Sequence, residues 1–167
     1  MTGAILPSSR FLARAMAKHC PKDDSIVLEL GAGTGSVTKQ IVKFCDNQRV
    51  YSIELDKKLC KGLIKEFPSI KIINDSAENI REILKDDPRK LGIIISSLPL
   101  VSLPQEVVEN ILKAIEEALP VGGKFVQFTY KLNKKPDALG FKRLKHIGTQ
   151  KVYMNVPPAR VDVFCKE

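Results

Sequence analysis

The sequence contains no tryptophan and only two histidines. Its four cysteines, Cys20, Cys45, Cys60 and Cys165, form neither a C-x-x-C pair nor a zinc spacing. Metal-centred and thiol-redox chemistry therefore has no motif to rest on, and the cysteines read as reduced thiols of a cytosolic protein. No carboxylate pair or nucleophile triad stands out. No apolar run approaches the roughly 20 residues that span a bilayer. The N-terminus lacks an apolar h-region followed by a small-residue cleavage site. Internal repeats, low-complexity tracts and long linkers are missing, so residues 1–167 are expected to form one domain. A chain of this length buries roughly 70% of its unfolded surface. Acids are scarce too: 19 stand against 27 Lys and Arg, for a net charge of +8. That balance favours a polyanionic partner, either nucleic acid or an anionic membrane surface. Much of the excess lies between Lys131 and Lys151, where Lys134, Lys135, Lys142, Arg143 and Lys145 are opposed by Asp137 alone.

What the chain does have is concentrated in Val27-Leu28-Glu29-Leu30-Gly31-Ala32-Gly33-Thr34-Gly35. The apolar run predicts a strand buried on both faces. Gly31, Gly33 and Gly35 permit positive φ and close approach of a ligand to the backbone. A helix opens behind them at Ser36. A second strand, Arg49–Glu54, ends in Glu54, a carboxylate placed to accept hydrogen bonds from both hydroxyls of a ribose. A third strand from Ile70 ends at Asp75, followed by Ser76 and Ala77, which open another helix. Glu29 stands where a carboxylate can meet an amino-acid tail, directly or through water. Three strand ends so equipped suit a nucleoside ligand across one sheet edge. NAD fits less well, because the turn lacks the G-x-x-G ending of the dinucleotide fingerprint, and ATP fits poorly because no Gly-Lys-Ser/Thr follows the loop. The pattern resembles the class I S-adenosylmethionine-dependent methyltransferases.

Strands are expected near Ile26, Val50, Ile70, Leu91 and Lys124, and helices over Ser36–Phe44, Lys57–Glu66, Ala77–Leu84 and Gln105–Leu119. This alternation predicts an α/β fold with a mostly parallel sheet and helices on both faces. Leu144–Asn155 and Arg160–Cys165 read as extended, predicting an antiparallel C-terminal hairpin. With it, the resemblance implies the Rossmann-like methyltransferase sheet of seven strands. Residues 8–20 predict a basic amphipathic helix capped by Ser8 or Ser9 and stopped by Pro21. Arg10, Arg14 and Lys18 form one row on it, and Phe11, Leu12, Ala13, Ala15 and Met16 fill the remaining circumference. Such a helix either packs on the domain or lies in a headgroup layer with its apolar side inserted.

The remaining segments are more diagnostic. Ser97-Leu98-Pro99-Leu100 follows the fourth strand and Gln127-Phe128-Thr129-Tyr130 closes the fifth, while Asn155-Val156-Pro157-Pro158-Ala159-Arg160 lies near the C-terminus. With Gly3-Ala4-Ile5-Leu6-Pro7-Ser8-Ser9, these are similar to the soluble bacterial phospholipid N-methyltransferases, which convert phosphatidylethanolamine stepwise towards phosphatidylcholine. The ribosomal RNA adenine N6-methyltransferases are the competing resemblance. They carry Asn-(Leu/Ile)-Pro-(Tyr/Phe) after strand four and usually a further helical domain. Here Ser97 replaces the amide and Leu100 the aromatic, and no residues remain for that domain. A flipped base would lack its stacking platform. A third possibility is a lipid-binding protein that keeps the cofactor pocket without turnover.

The resemblance implies S-adenosylmethionine as cofactor, held by Glu29, Gly31, Ala32, Gly33, Gly35, Glu54, Leu55, Asp75, Ser76 and Ala77. Ser97 or Leu98 would position the amine by a backbone carbonyl, and Pro99 would aim it. Tyr130 would face the growing cation of the methylated headgroup. Arg160 would bind lipid phosphate through its planar fork or, equally, pair with a neighbouring acid. Arg10, Arg14, Lys18, Pro99 and Leu100 would meet the lipid or membrane. The expected protein is a monomer on the cytoplasmic face of a bacterial membrane, with a phospholipid rather than nucleic acid as partner. The number of methyl groups added is left open.

Overall fold

The computed structural model describes residues 8–167, so the Gly3–Pro7 part of the N-terminal signature lies outside the described residues. Seven strands form one sheet in the order β3-β2-β1-β4-β5-β7-β6. They are β1 (Ile26–Leu30), β2 (Val50–Glu54), β3 (Lys71–Asn74), β4 (Leu91–Ser96), β5 (Lys124–Thr129), β6 (Leu144–Val152) and β7 (Ala159–Lys166). The first five are parallel, and β7 pairs antiparallel to both β5 and β6. The mostly parallel sheet agrees with the alternation, and its seven strands with the methyltransferase resemblance. The central strands carry apolar side chains on both faces because helices cover both.

The helices are α1 (Arg10–Ala17), α2 (Ser36–Ile41), α3 (Lys57–Glu66), α4 (Ile80–Leu84) and α5 (Gln105–Ala118). On one face, Leu12 and Met16 of α1 and Val37 and Ile41 of α2 pack with Val27, Ile93, Ile95, Val126 and Val161 of the sheet. On the other, Ile80, Ile111 and Ile115 pack with Leu28, Ile94, Phe125 and Phe164. Each such fully buried aliphatic side chain contributes about 1.5–3 kcal/mol relative to exposure.

Three helices fall short of their patterns by more than one residue. α2 stops at Ile41, not Phe44, because its last carbonyls take tighter bonds: Lys43 N donates to Gln40 O at 3.0 Å and Phe44 N to Ile41 O at 2.9 Å. Ala77–Leu84 divides into a 3₁₀ turn over Ala77–Asn79 and α4. α1 ends at Ala17 rather than Cys20. Its N-cap is Ser9, whose hydroxyl accepts from Leu12 N at 3.2 Å.

α1 also settles which way its apolar face points. Leu12, Ala13, Met16 and Ala17 are fully buried against α2 and the sheet, so membrane insertion of that face is corrected: the domain has already consumed it. The cations stay outside. Arg10 lies over the Phe11 ring and Arg14 over the Phe44 ring, and the Lys18 ammonium donates to Gln150.

Candidate active site on the carboxyl edge

The parallel strands deliver the expected residues to one edge. Gly31, Gly33 and Gly35 have φ of 72°, 58° and 89°, a region that favours glycine. The loop is held from three sides: Gly31 N donates to Ile53 O at 2.9 Å, Gly33 N to Glu54 Oε2 at 2.8 Å and Gly35 N to Ala32 O at 2.9 Å. A Cβ at Gly31 would stand 2.7 Å from Leu98 Cδ2, so the loops after β1 and β4 touch there. At Gly33 a Cβ would meet nothing nearer than Gly31 O at 4.0 Å, so the loop has open space above it. Ala32 is buried beside it.

Glu54 is nearly buried, and each of its oxygens accepts one amide: Oε2 from Gly33, and Oε1 from Asp56 at 2.9 Å. The second lone pair of each oxygen remains for a ligand. Leu55 follows at the end of β2. Its side chain is exposed, while its carbonyl and that of Glu54 accept from Asn74 Nδ2 at 2.8 and 3.0 Å. Asp75 Oδ1 accepts from Ser76 N at 2.6 Å and Asn79 Nδ2 at 2.7 Å, which fixes the carboxylate at the end of β3. Ser76 caps the following turn, accepting from Glu78 N at 3.2 Å, and Ala77 is buried under it.

Glu29 lies deeper than expected. It is fully buried, with Oε2 accepting from Thr38 Oγ1 at 2.7 Å and from Ser52 Oγ, while Oε1 has no partner among the described residues. Burial is the main cause that pushes its carboxyl up to about 7. The Ser52 and Thr38 bonds oppose the shift and the Glu54 charge adds to it. An unpartnered carboxylate oxygen below the Gly loop, open space above Gly33 and free lone pairs on Glu54 together fit a cationic nucleoside sulfonium.

The opposite side of the edge is formed by β4 and β5. Ser97 N donates to Leu30 O at 2.9 Å, locking this loop to β1. The Leu98 carbonyl is occupied, accepting from Leu100 N at 2.9 Å and Gln127 Nε2 at 3.0 Å. Of the two expected amine-positioning carbonyls, only that of Ser97 lacks a donor among the described residues. Ser97 Oγ and Gln127 Oε1 are buried without partners. Pro99 is half-buried in the loop, where its carbonyl accepts from Ser102 N at 2.8 Å. Leu100 is corrected as a substrate contact: its side chain is buried in the core against α5. Tyr130 is 39% exposed at the end of β5, braced edge-on by Phe128 at 5.3 Å.

Arg160 is also corrected. It is buried, with Nε and Nη2 on Asp162 Oδ2 at 3.0 and 2.8 Å and Nη1 on the Leu132 and Lys134 carbonyls. Every arm of the fork is in use, so a lipid phosphate has no access to it. The acid-pairing option holds instead.

Sequence reasoning missed Thr38, Ser52, Asn74, Asn79 and Gln127. Two carried a readable signal: Ser52 and Gln127 are polar residues inside otherwise apolar strands, and such positions need a buried partner.

The model for the family described as "Ribosomal RNA adenine dimethylase" matches residues 2–122. The chain is 27% identical to the ornithine lipid N-methyltransferase of Singulisphaera acidiphila over 75% of its own length and 69% of that protein. It is 30% identical to a protein of Methanococcus maripaludis named as a probable ribosomal RNA small subunit methyltransferase A, over 84% of this chain. It spans about half the length of that archaeal relative, 51%. A TehB-like SAM-dependent methyltransferase from Corynebacterium glutamicum has the same fold, with a TM-score of 0.69 at 18% identity over 93% of this chain and 86% of its own.

Proposed function

The chain belongs to the ribosomal RNA adenine dimethylase family of S-adenosylmethionine-dependent methyltransferases, and from that premise we propose that its own acceptor is a lipid amine, the headgroup of phosphatidylethanolamine. S-adenosylmethionine is its cofactor, and when bound it supplies a methyl group to a neutral amine lone pair by in-line displacement. Glu54 holds the ribose hydroxyls, Asp75, Ser76 and Ala77 line the adenine edge, and the Gly31–Gly35 backbone supports the amino-acid tail above Glu29. These residues bind and orient. The neutral amine has two N–H groups to give, so two of the Ser97 carbonyl, the Ser97 hydroxyl and Gln127 Oε1 accept from it and align it before transfer. Tyr130 presents a ring to the cation as it forms, a contact of roughly 0.5–2 kcal/mol.

One observation carries the lipid reading over a base. The loop after β4 offers Ser97 rather than an amide, and its Leu100 side chain is turned into the core. An adenine would find neither platform nor clamp there, whereas a small amine needs only acceptors. The likeness to the S. acidiphila lipid N-methyltransferase supports the same reading.

RNA remains a second reading of equal standing, favoured by the family match and the archaeal relatives. The expectation that nucleic acid is not a partner is therefore withdrawn. Membrane association, monomeric state and cytoplasmic-face localisation stand as parts of the lipid proposal. Among the described residues no helix is long and apolar enough to cross a membrane.

The test is to incubate the protein with methyl-labelled S-adenosylmethionine and, separately, phosphatidylethanolamine vesicles or unmodified ribosomal RNA. The lipid reading predicts label in the organic phase, resolved as mono-, di- or trimethylated headgroup. Label confined to RNA would overturn it in favour of the second reading.

A further inference from the structure

The carboxyl edge carries a feature that catalysis does not use. β6 runs antiparallel to β7, and β7 antiparallel to β5, so β6 ends on the same edge as the parallel strands. The turn joining β6 to β7 therefore rises beside the acceptor side of the site. In that turn Tyr153, Met154 and Val156 are 66%, 67% and 89% exposed. Elsewhere the exposed apolar side chains Leu55, Ile64, Val101, Val121 and Ile147 stand singly, as they commonly do on globular surfaces.

The turn is braced from below. Asn155, buried between the exposed residues, donates through Nδ2 to Pro157 O at 2.7 Å and accepts from Ser9 N at 3.2 Å. That second bond brings the start of α1, with exposed Arg10 and half-exposed Phe11, against the turn. On the other side, Arg160 holds the Leu132 and Lys134 carbonyls, and it pairs in register with Thr129 and Lys151. Lys131, Lys134, Lys135 and Lys151 are all exposed around this level. Asp137 is the nearby acid in the sequence.

We propose that this surface, with Tyr153, Met154 and Val156 at its tip and Arg10, Lys131, Lys134, Lys135 and Lys151 at its rim, docks the protein on an anionic lipid bilayer. An aromatic ring and two aliphatic side chains fit the boundary between headgroups and acyl chains, and cations around them meet lipid phosphates. Phe11 extends the apolar patch towards α1. Because the turn shares an edge with Ser97 and Tyr130, docking brings headgroups to the acceptor side without extracting a lipid. The apolar face of α1 takes no part, being buried. The inference rests on the lipid reading of the site, and a lipid surface makes use of both the apolar tip and the basic rim.

The experiment compares the full chain with the variant Tyr153→Ser, Met154→Ser, Val156→Ser. Three readouts are taken: sedimentation with phosphatidylglycerol–phosphatidylcholine vesicles, cofactor affinity by calorimetry, and methylation of a short-chain, monomeric phosphatidylethanolamine. The full chain should sediment, less so as salt rises. The variant should partition about tenfold less or weaker still, as loss of three inserted side chains dictates, with cofactor affinity and short-chain turnover unchanged. Equal sedimentation of both proteins, or none of the full chain, would overturn the docking surface while leaving the lipid reading to its own assay. Turn-dependent sedimentation without lipid methylation would keep the surface and discard the lipid reading. Unchanged vesicle binding with weakened ribosomal RNA binding would overturn the proposal and assign the surface to nucleic acid.

Discussion

Along the carboxyl edge, the β1–β3 side has its carboxylates tied to the frame, whereas the β4–β7 side has buried, unpartnered acceptors and exposed aromatics. Glu54 bridges two backbone amides, Asp75 is fixed by Ser76 and Asn79, and Glu29 is clasped by Thr38 and Ser52. Opposite them, Ser97 Oγ and Gln127 Oε1 have no partner among the described residues, and Tyr130, Tyr153 and Met154 face outward. A site that must hold one invariant cofactor gains from preorganisation, since groups already in place lose little freedom on binding. A site that sets the acceptor can vary through a few open positions on the same frame. Under the lipid proposal, the cofactor is held on one side of the edge and the acceptor is chosen on the other.

The largest expected effect concerns the frame beneath the open side. Arg160→Met should destabilise the fold by about 3 kcal/mol or more, because it leaves Asp162 charged and buried without its main partner. Chemical denaturation measures this. If stability were intact and lipid binding lost instead, Arg160 would be a phosphate ligand after all and the open side less rigid than described.

Next comes the clasped side. The Glu29 carboxyl binds its proton more tightly in the folded chain than in the unfolded one. The Glu29 contribution to folded stability therefore falls as pH rises from about 4.5 to about 7 and levels off above that, while His19, which burial holds below its ordinary value, contributes in the opposite direction. The Glu29 shift corresponds to about 3 kcal/mol in all. Glu29→Gln should remove this slope. Asp87, held far below the usual carboxylate range mainly by Arg89, acts in the opposite direction: its contribution is present above its ordinary value and is lost at lower pH, outside this window. An unchanged slope between pH 4.5 and 7 in the variant would mean that Glu29 titrates as an open carboxylate, and the contrast between the two sides would weaken.

Glu54→Gln sharpens the contrast at the ligand itself. Loss of charge-assisted bonds should weaken cofactor binding by about 1.5–3 kcal/mol, read by calorimetry, while vesicle binding is unaffected. Smallest is Tyr130. Tyr130→Ala should slow turnover by the roughly 0.5–2 kcal/mol of a cation–ring contact, and Tyr130→Phe should retain most of the rate. Cofactor affinity should not change in either. A change in it would place Tyr130 on the cofactor side.

The cofactor side was largely legible in the sequence because local chemistry writes it. Glycines at 31, 33 and 35 need positive φ, and acids at 54 and 75 end strands whose apolar runs are plain. The mostly parallel sheet followed from alternation and the antiparallel ending from the closing hairpin, but the strand order came only with the fold. Less legible was anything decided by distant partners. The periodicity of α1 gives an apolar face but not its neighbour, and the sheet rather than a membrane covers it. Arg160 advertises a planar fork, yet the carbonyls of Leu132 and Lys134 that occupy it are visible only once the chain is folded. Leu100 reads as an exposed loop residue in sequence because its burial depends on α5. The docking turn lay within a recognised segment, but its exposure is fixed by the Asn155 bonds beneath it.

The central claim is that the open side of the edge receives a lipid amine. It is tested most directly by expressing the protein in a bacterium whose membranes contain phosphatidylethanolamine but none of its methylated derivatives, and analysing total lipid and ribosomal RNA by mass spectrometry. The account predicts methylated headgroups in cells carrying the native sequence, and none with Glu54→Gln. Unaltered lipids alongside newly methylated adenines in ribosomal RNA would contradict it.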